Sequence, residues 1–320
     1  MAGPRKQTTH GRFYQINGDD YASVTTILGA INKPALVQWA AKEERTMTIQ
    51  SAADLYEDIH GTPKMSRATY VTTLDARLGK VKAHQKLLAK AAEIGTQVHA
   101  LIEWNIRRSL QQKVGPEPKI EDKAAWAFMA YQDWAKAVDL KPILIEQTVY
   151  SHVHRYAGTM DLLAEVEGQV TLVDFKTGKA VYGEAHLQNV AYQMALREMG
   201  HLAAERGMIL RLPKVETDPN FEAVTIPPAE ELFPTFLAVQ QVWQWWYAEE
   251  KASRARWEAQ RAGLKAANAV LDREIAEIGQ RAQQNMLEAT PDSLLALVDE
   301  LRAKNMEKIH QEASLTEETR

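Results

Sequence analysis

The 320-residue chain has no cysteine, which excludes disulfides, zinc sites built on thiolates and iron–sulfur clusters held by cysteine. No apolar run approaches the roughly 20 residues that a membrane-spanning helix needs, and the first residues lack the apolar core of a secretory signal. A dominant charge is missing too. With 38 Lys and Arg against 42 Asp and Glu the net charge is −4, so nucleic acid would have to be held in a local groove rather than by the surface as a whole. There is no G-x-x-x-x-G-K-[ST] phosphate loop, no G-x-S-x-G and no H-E-x-x-H. Motor, esterase and zinc-protease chemistries therefore have no support, nor does a bound nucleotide cofactor, and any unwinding would come from a partner helicase. What remains is ordinary: 45% hydrophobic and 25% charged residues suit a soluble globular protein with a full core and room for two domains. Cytoplasmic residence is the expectation. The acid-free stretch 1–18 hints at an organelle address but shows no amphipathic pattern.

The chemistry is concentrated between residues 154 and 192. Residues 154–166 alternate apolar and polar side chains, Glu167-Gly168 supplies a turn and 169–176 runs apolar again, which reads as a β-hairpin. Strand side chains alternate faces, so Asp174 and Lys176 point the same way, and Asp161 on the partner strand reaches the same side in a tight register. Two carboxylates converging in a half-buried place repel unless a cation neutralises them, and oxygen-rich sites of this kind suit Mg2+ or Mn2+. A lysine beside them steadies charge on phosphoryl oxygens or holds an attacking water. Gln188 and Tyr192 sit one turn apart on the following helix, expected over about 185–199.

Asp161, Asp174-Phe175-Lys176 and Gln188-x-x-x-Tyr192, in this order, resemble the PD-(D/E)XK nuclease superfamily and within it the RecB-type branch. The resemblance implies metal binding by Asp161 and Asp174, a catalytic role for Lys176, and a helix on which Gln188 and Tyr192 position DNA and the lysine. It also implies a further metal ligand from an upstream helix. That is His99, in the helical pattern 81–110, where Glu103 shares its face four residues on. The Phe175 backbone carbonyl completes the implied ligand set, and Glu103 and Glu146 (in the apolar segment 143–150) are candidates to act through water or as outer ligands. The segments Tyr21 to Leu28 and Lys33 to Trp39 resemble the opening of phage exonucleases and of the mitochondrial genome maintenance exonuclease. The likeness is read over roughly the first three quarters of the chain. The missing cysteines place the chain with members that carry no iron–sulfur cluster.

The expected fold is α/β: a mixed central sheet flanked by helices, restriction-endonuclease-like, with a mainly helical module over 1–140, the sheet core over 141–248 and a helical extension over 249–320. In detail, 12–16 and Tyr21 onward form a small hairpin about Asn17-Gly18, Ser23 caps a helix, Pro34 starts another and Asp122 caps one reaching Val138. Further strands are expected at 207–212 and 222–226. Val239, Trp243, Trp246 and Tyr247 form a helical stripe expected to pack as core rather than to stack on bases. In the extension, Trp257, Leu264, Leu271 and Ile278 recur every seven residues beside a polar companion column, and Thr290-Pro291-Asp292 starts a second helix, so a helical hairpin is expected, frayed after about 312. It is available for self-association, a recombination partner or DNA.

The expected function is a Mg2+- or Mn2+-dependent DNA exonuclease acting on single strands or free ends in phage or bacterial replication, recombination or repair. A structure-dependent endonuclease, or a non-cleaving DNA-end scaffold on the same fold, are the alternatives. Lys80, Lys82, Lys86 and Lys90, with Lys64, Arg67 and Arg77 before them, are candidates to hold DNA. His152 and His154, two apart, are expected to be exposed strand histidines rather than metal ligands.

Overall fold

A computed structural model describes residues 2–31, 33–59, 65–215, 217–218, 220–285 and 290–317. Lys64 lies outside them. The chain divides into two compact units, 1–243 and 244–320.

The first unit is built on an eight-stranded mixed sheet. Strands β1 (Ala2–Thr8), β2 (Gly11–Ile16) and β3 (Asp19–Ser23) form a meander. The turn between β2 and β3 is Asn17-Gly18, with φ of 51° and 92°, the primed geometry that asparagine and glycine tolerate. These strands do not stand apart as a small hairpin. β3 pairs in parallel with β5 (Tyr156–Val166), Ala22 against Tyr156, and so joins the N-terminus to the central sheet. β4 (Lys141–Ser151), β5 and β6 (Gln169–Lys176) are antiparallel, and the β5–β6 turn at Glu167-Gly168 again has both φ positive. β7 (Arg206–Arg211) runs parallel to β6, and β8 (Glu222–Thr225) closes the edge.

One feature of this topology creates the site. β5 has β4 along one edge, while its other edge is shared: β3 takes Tyr156 and Ala157, and β6 takes Leu162 to Val166. Gly158 to Asp161 are left where β3 and β6 part.

Helices cover both faces. Short α1 (Val24–Leu28) is capped by Ser23, whose hydroxyl accepts from the Thr26 N–H at 3.0 Å. α2 (Pro34–Ile59) starts at Pro34, and α3 (Arg67–Leu78) follows. α4 (Ala83–Ser109) and α5 (Asp122–Ala137) pack Ile94, Val98, Ile102, Tyr131 and Trp134 on Leu162, Ala164, Val173 and Phe175. Asp122 is the first residue of α5, and Glu121 takes the cap position. Because Val173 and Phe175 face α4 and α5, Asp174 and Lys176 face the other way, where α6 (Gly183–Glu198) lies. Asn189 on α6 donates to the carbonyls of Leu172 and Met208 and ties that helix to β6 and β7.

α7 is a single helix, Ala229–Asn285, and α8 spans Pro291–Glu317. Within the second unit, Lys308 to Asp272, Lys304 to Glu274 and Arg281 to Glu300 are cross-helix ion pairs, and Leu271 and Ile278 are buried. This is the expected helical hairpin, although α8 keeps helical form to Glu317 instead of fraying after 312. The aromatic stripe does not behave as one core face: Trp243 packs on Phe13 with centroids 6.2 Å apart, whereas Trp246 is 54% exposed. His152 and His154 lie in the turn between β4 and β5 and not at strand spacing: His152 bonds the Tyr21 hydroxyl at 2.7 Å, and His154 packs edge-on to Phe233.

Candidate active site

Where β3 and β6 part beside β5, residues from nine elements surround a cavity of about 700 Å3. Asp161 stands on the stretch of β5 that β3 and β6 leave unpaired. Its Oδ2 accepts the Phe175 N–H at 2.7 Å, so the carboxylate takes a backbone donor that the diverging strands leave without a ladder partner. Its Oδ1 lies 3.4 Å from Nδ1 of His99, one turn beyond Gly95 on α4. Gly95 lets that helix come close, since a Cβ there would sit 3.2 Å from the Thr177 hydroxyl.

Glu146 completes this wall. Ile145 pairs with Leu162 and Gln147 with Met160, so Glu146 falls opposite Asp161. It does so with φ of 49° in the middle of a strand. A non-glycine residue held there costs on the order of 1 kcal/mol, and the other positive-φ non-glycine residues among those described, Asn17, Gln111, Asp139, Arg155 and Glu167, lie in turns and not inside a strand. One donor atom each from His99, Glu146 and Asp161 lies within 4.8 Å of the other two.

The second wall is Asp174, Lys176, Gln188 and Tyr192. Lys176 Nζ lies 2.5 Å from Asp174 Oδ2. The Gln188 side chain bridges the group, its Oε1 accepting from Lys176 at 3.2 Å and its Nε2 donating to Asp174 Oδ1 at 3.0 Å and to the Tyr192 hydroxyl at 3.3 Å. The Tyr192 ring in turn packs against Gly158, where an added Cβ would come within 2.3 Å of it.

The charges are strongly coupled. Burial works against the His99 imidazolium, but the Asp161 and Asp174 carboxylates outweigh it and lift its pKa to about 9. Burial, with Asp161 adding repulsion, raises Glu146 to about 7. Burial also raises Asp174 to about 6, with Lys176 opposing and Asp161 reinforcing the shift. Asp161 moves the other way: burial opposes ionisation, yet His99 and Lys176 hold the carboxyl below its ordinary value. Lys176 is raised, because the two aspartates overcome its burial. Three carboxylates and an imidazole in one half-buried place suit a hard divalent cation. The residues present fit such an ion.

The remaining sequence candidates fall elsewhere. Glu103 pairs with Arg107 at 2.7 Å and does not line the cavity. Nor do Lys80, Lys82, Lys86 or Lys90. Lys90 is tied to Glu121 at 2.5 Å, and Arg77 to Asp58. Sequence reasoning did not find Arg5, Arg12, Tyr14, Thr25 and Thr159, all of which line the cavity. Arg5, Arg12 and Tyr14 carry no motif and approach through the pairing of β3 with β5, residues far apart in the chain, whereas Thr25 and Thr159 lie inside stretches that stood out in the sequence without being singled out themselves.

The family model of the PD-(D/E)XK nuclease superfamily matches residues 67–315. The chain belongs to that superfamily. The matched span leaves out the segment around Tyr21 to Trp39 and runs on through the C-terminal helices, further than the sequence likeness was read. Among solved structures, the chain is similar to a provisionally assigned exonuclease from Eubacterium rectale, at 14% identity and a TM-score of 0.30, over 59% of this chain and 80% of that one. No curated protein matches the chain. Among the described residues no helix is long and apolar enough to cross a membrane.

Proposed function

We propose that the chain is a Mg2+- or Mn2+-dependent deoxyribonuclease of the RecB type, an exonuclease acting on single-stranded DNA or free DNA ends. The observation that carries this reading is the pairing of two walls, the donor trio His99, Glu146 and Asp161 against the Asp174, Lys176 and Gln188 cluster, across one open cavity.

Asp161, Asp174, Glu146 and His99 would hold the ion. The Phe175 carbonyl joins them on geometric grounds: a strand residue's N–H and C=O point to the same edge, and the Phe175 N–H points at Asp161. When bound, a divalent cation neutralises the scissile phosphate and lowers the pKa of water. Lys176 stays an ammonium at neutral pH and therefore acts as a donor, orienting a water or a phosphoryl oxygen and stabilising charge that builds on it. Gln188 fixes the lysine through its amide oxygen, and Tyr192, kept protonated by burial, braces Gln188. Arg5 and Arg12 bring cations to the cavity for the phosphates on either side of the bond that breaks.

With end-labelled DNA and Mg2+ or Mn2+, Asp174→Ala and Lys176→Ala are each expected to reduce cleavage at least about a hundredfold while leaving the fold intact. Undiminished cleavage by either variant would overturn the assignment. The complete set of acids and the lysine argues against the non-cleaving scaffold.

A further inference from the structure

A second groove, of about 300 Å3, opens from the same place. Thr177 and Gly178, which follow β6, line both it and the catalytic cavity. Its apolar lining is Leu87 and Ile94 of α4 with Pro213 and Val215 beyond β7, of which Leu87 and Val215 are exposed. Its cations are Lys90, Lys123, Lys179 and Lys214, with Arg211 buried beneath.

These cations are not equivalent. Arg211 is spent on Asp218 at 2.8 Å and Glu222 at 2.7 Å, and Lys90 on Glu121. Asp218 is the one carboxylate lining the groove among the described residues, and it is already engaged. Lys123, Lys179 and Lys214 have no carboxylate within ion-pair distance among the described residues. Lys214 is half-buried and donates to the Ala91 carbonyl at 3.3 Å. Burial, and then the neighbouring Lys123, lower its pKa. Like charges facing each other cost stability, and the nearest acids among the described residues are already shared: Glu121, which also feels Lys123, is paired with Lys90, and Asp218 with Arg211. Lysines with no carboxylate within ion-pair distance among the described residues, beside exposed apolar side chains, are what a strand of nucleic acid needs: phosphates on the lysines and base or sugar faces on the apolar groups.

We propose that this groove seats the segment of the substrate strand adjoining the scissile phosphate, with Lys123, Lys179 and Lys214 on consecutive phosphates and Thr177-Gly178 as the threshold to the catalytic cavity. The proposal rests on the nuclease reading for the identity of its occupant. It explains how a mildly acidic protein grips DNA locally. It also makes the loop after β7 a determinant of how the strand is held.

The test is fluorescence anisotropy of an end-labelled single-stranded oligothymidine with the full chain in EDTA, at several salt concentrations, beside cleavage of the same strand with Mg2+ or Mn2+. Lys123→Gln/Lys214→Gln is expected to raise Kd about tenfold and to flatten the slope of log affinity against log salt by about 1.4, or about 0.7 for each single-strand phosphate no longer neutralised. Lys123→Arg/Lys214→Arg is expected to restore both, which separates charge from misfolding. Unchanged Kd and slope in the glutamine pair would overturn the groove even if the wild type cleaves. Conversely, weakened binding in that pair with no cleavage by wild type would keep the groove and overturn the nuclease reading. Tighter binding of polyglutamate than of DNA by the wild type would overturn the groove as a nucleic-acid site and assign it to an acidic polypeptide.

Discussion

At Glu146 the sequence and the backbone give different amounts of information. An acid inside the apolar segment 143–150 is visible in the chain, and its likeness to a family position made it a candidate of second rank. Its left-handed φ of 49° and its place opposite Asp161 are properties of the β4–β5 register and cannot be read from residue order. Replacing it by glycine separates the two roles. Glu146→Gly removes both the strain and a carboxylate that repels Asp161, and is expected to stabilise the metal-free protein by about 1 kcal/mol, roughly 2 °C in Tm. The same substitution should weaken Mn2+ binding at least about tenfold, as judged by calorimetry, since it deletes one of three converging donors. A variant that melts lower than wild type and binds Mn2+ equally well would mean Glu146 is ordinary structure. Asp161, Asp174 and Lys176 were legible for a simpler reason: a short hairpin with a strong turn fixes register locally, and the period of two then sets the faces.

At the scale of elements, the meeting of β5, β6 and α6 depends on Gly158. The ring of Tyr192 occupies the volume a side chain would take. Gly158→Ala is expected to push Tyr192 away, cost about 1–3 kcal/mol by overpacking and slow cleavage about tenfold by removing the brace on Gln188. Chemical denaturation and single-turnover cleavage read the two effects separately; unchanged values in both would show that the packing there has slack. The hairpins, the Ser23 cap and the Pro34 start were readable because each is a local signal. β1 was not, since an edge strand of mixed, polar composition carries little alternation, and the parallel pairing of β3 with β5 joins residues that no local pattern links. Hence Arg5 and Arg12 could not be placed at the cavity from sequence. The tryptophans of α7 mark the same limit: periodicity shows a face but not what covers it.

Across the whole molecule, the charges at the site couple metal, protons and stability. His99, at about 9, faces Asp161, Asp174 and Lys176; Glu146, at about 7, faces Asp161, His99, Glu103 and Arg5; Asp174 stands at about 6. All three are raised above their ordinary values. Their contribution to the metal-free fold is therefore full at low pH and is lost as pH rises through about 6, 7 and 9 in turn. A cation needs the same groups deprotonated, so its affinity rises across that window and binding releases protons. The Tm gain from saturating Mn2+ is expected to grow between about pH 6 and 9, reaching the equivalent of about 2.7 kcal/mol when the ion is a hundredfold above its Kd. A gain that is flat or falls with pH would contradict the ligand set. His99→Ala should leave a smaller gain with a window confined to the lower two groups.

The most direct measurement of the central claim uses one labelled single strand in two forms, linear and covalently closed, incubated with the full chain in Mg2+, in Mn2+ and in EDTA. The expected result is progressive shortening of the linear strand from an end with at least one of the ions, an untouched circle and no cleavage in EDTA. Intact DNA under every condition, or cleavage that persists in EDTA, would contradict metal-dependent hydrolysis. A circle cut as readily as the linear strand would contradict the exonuclease mode.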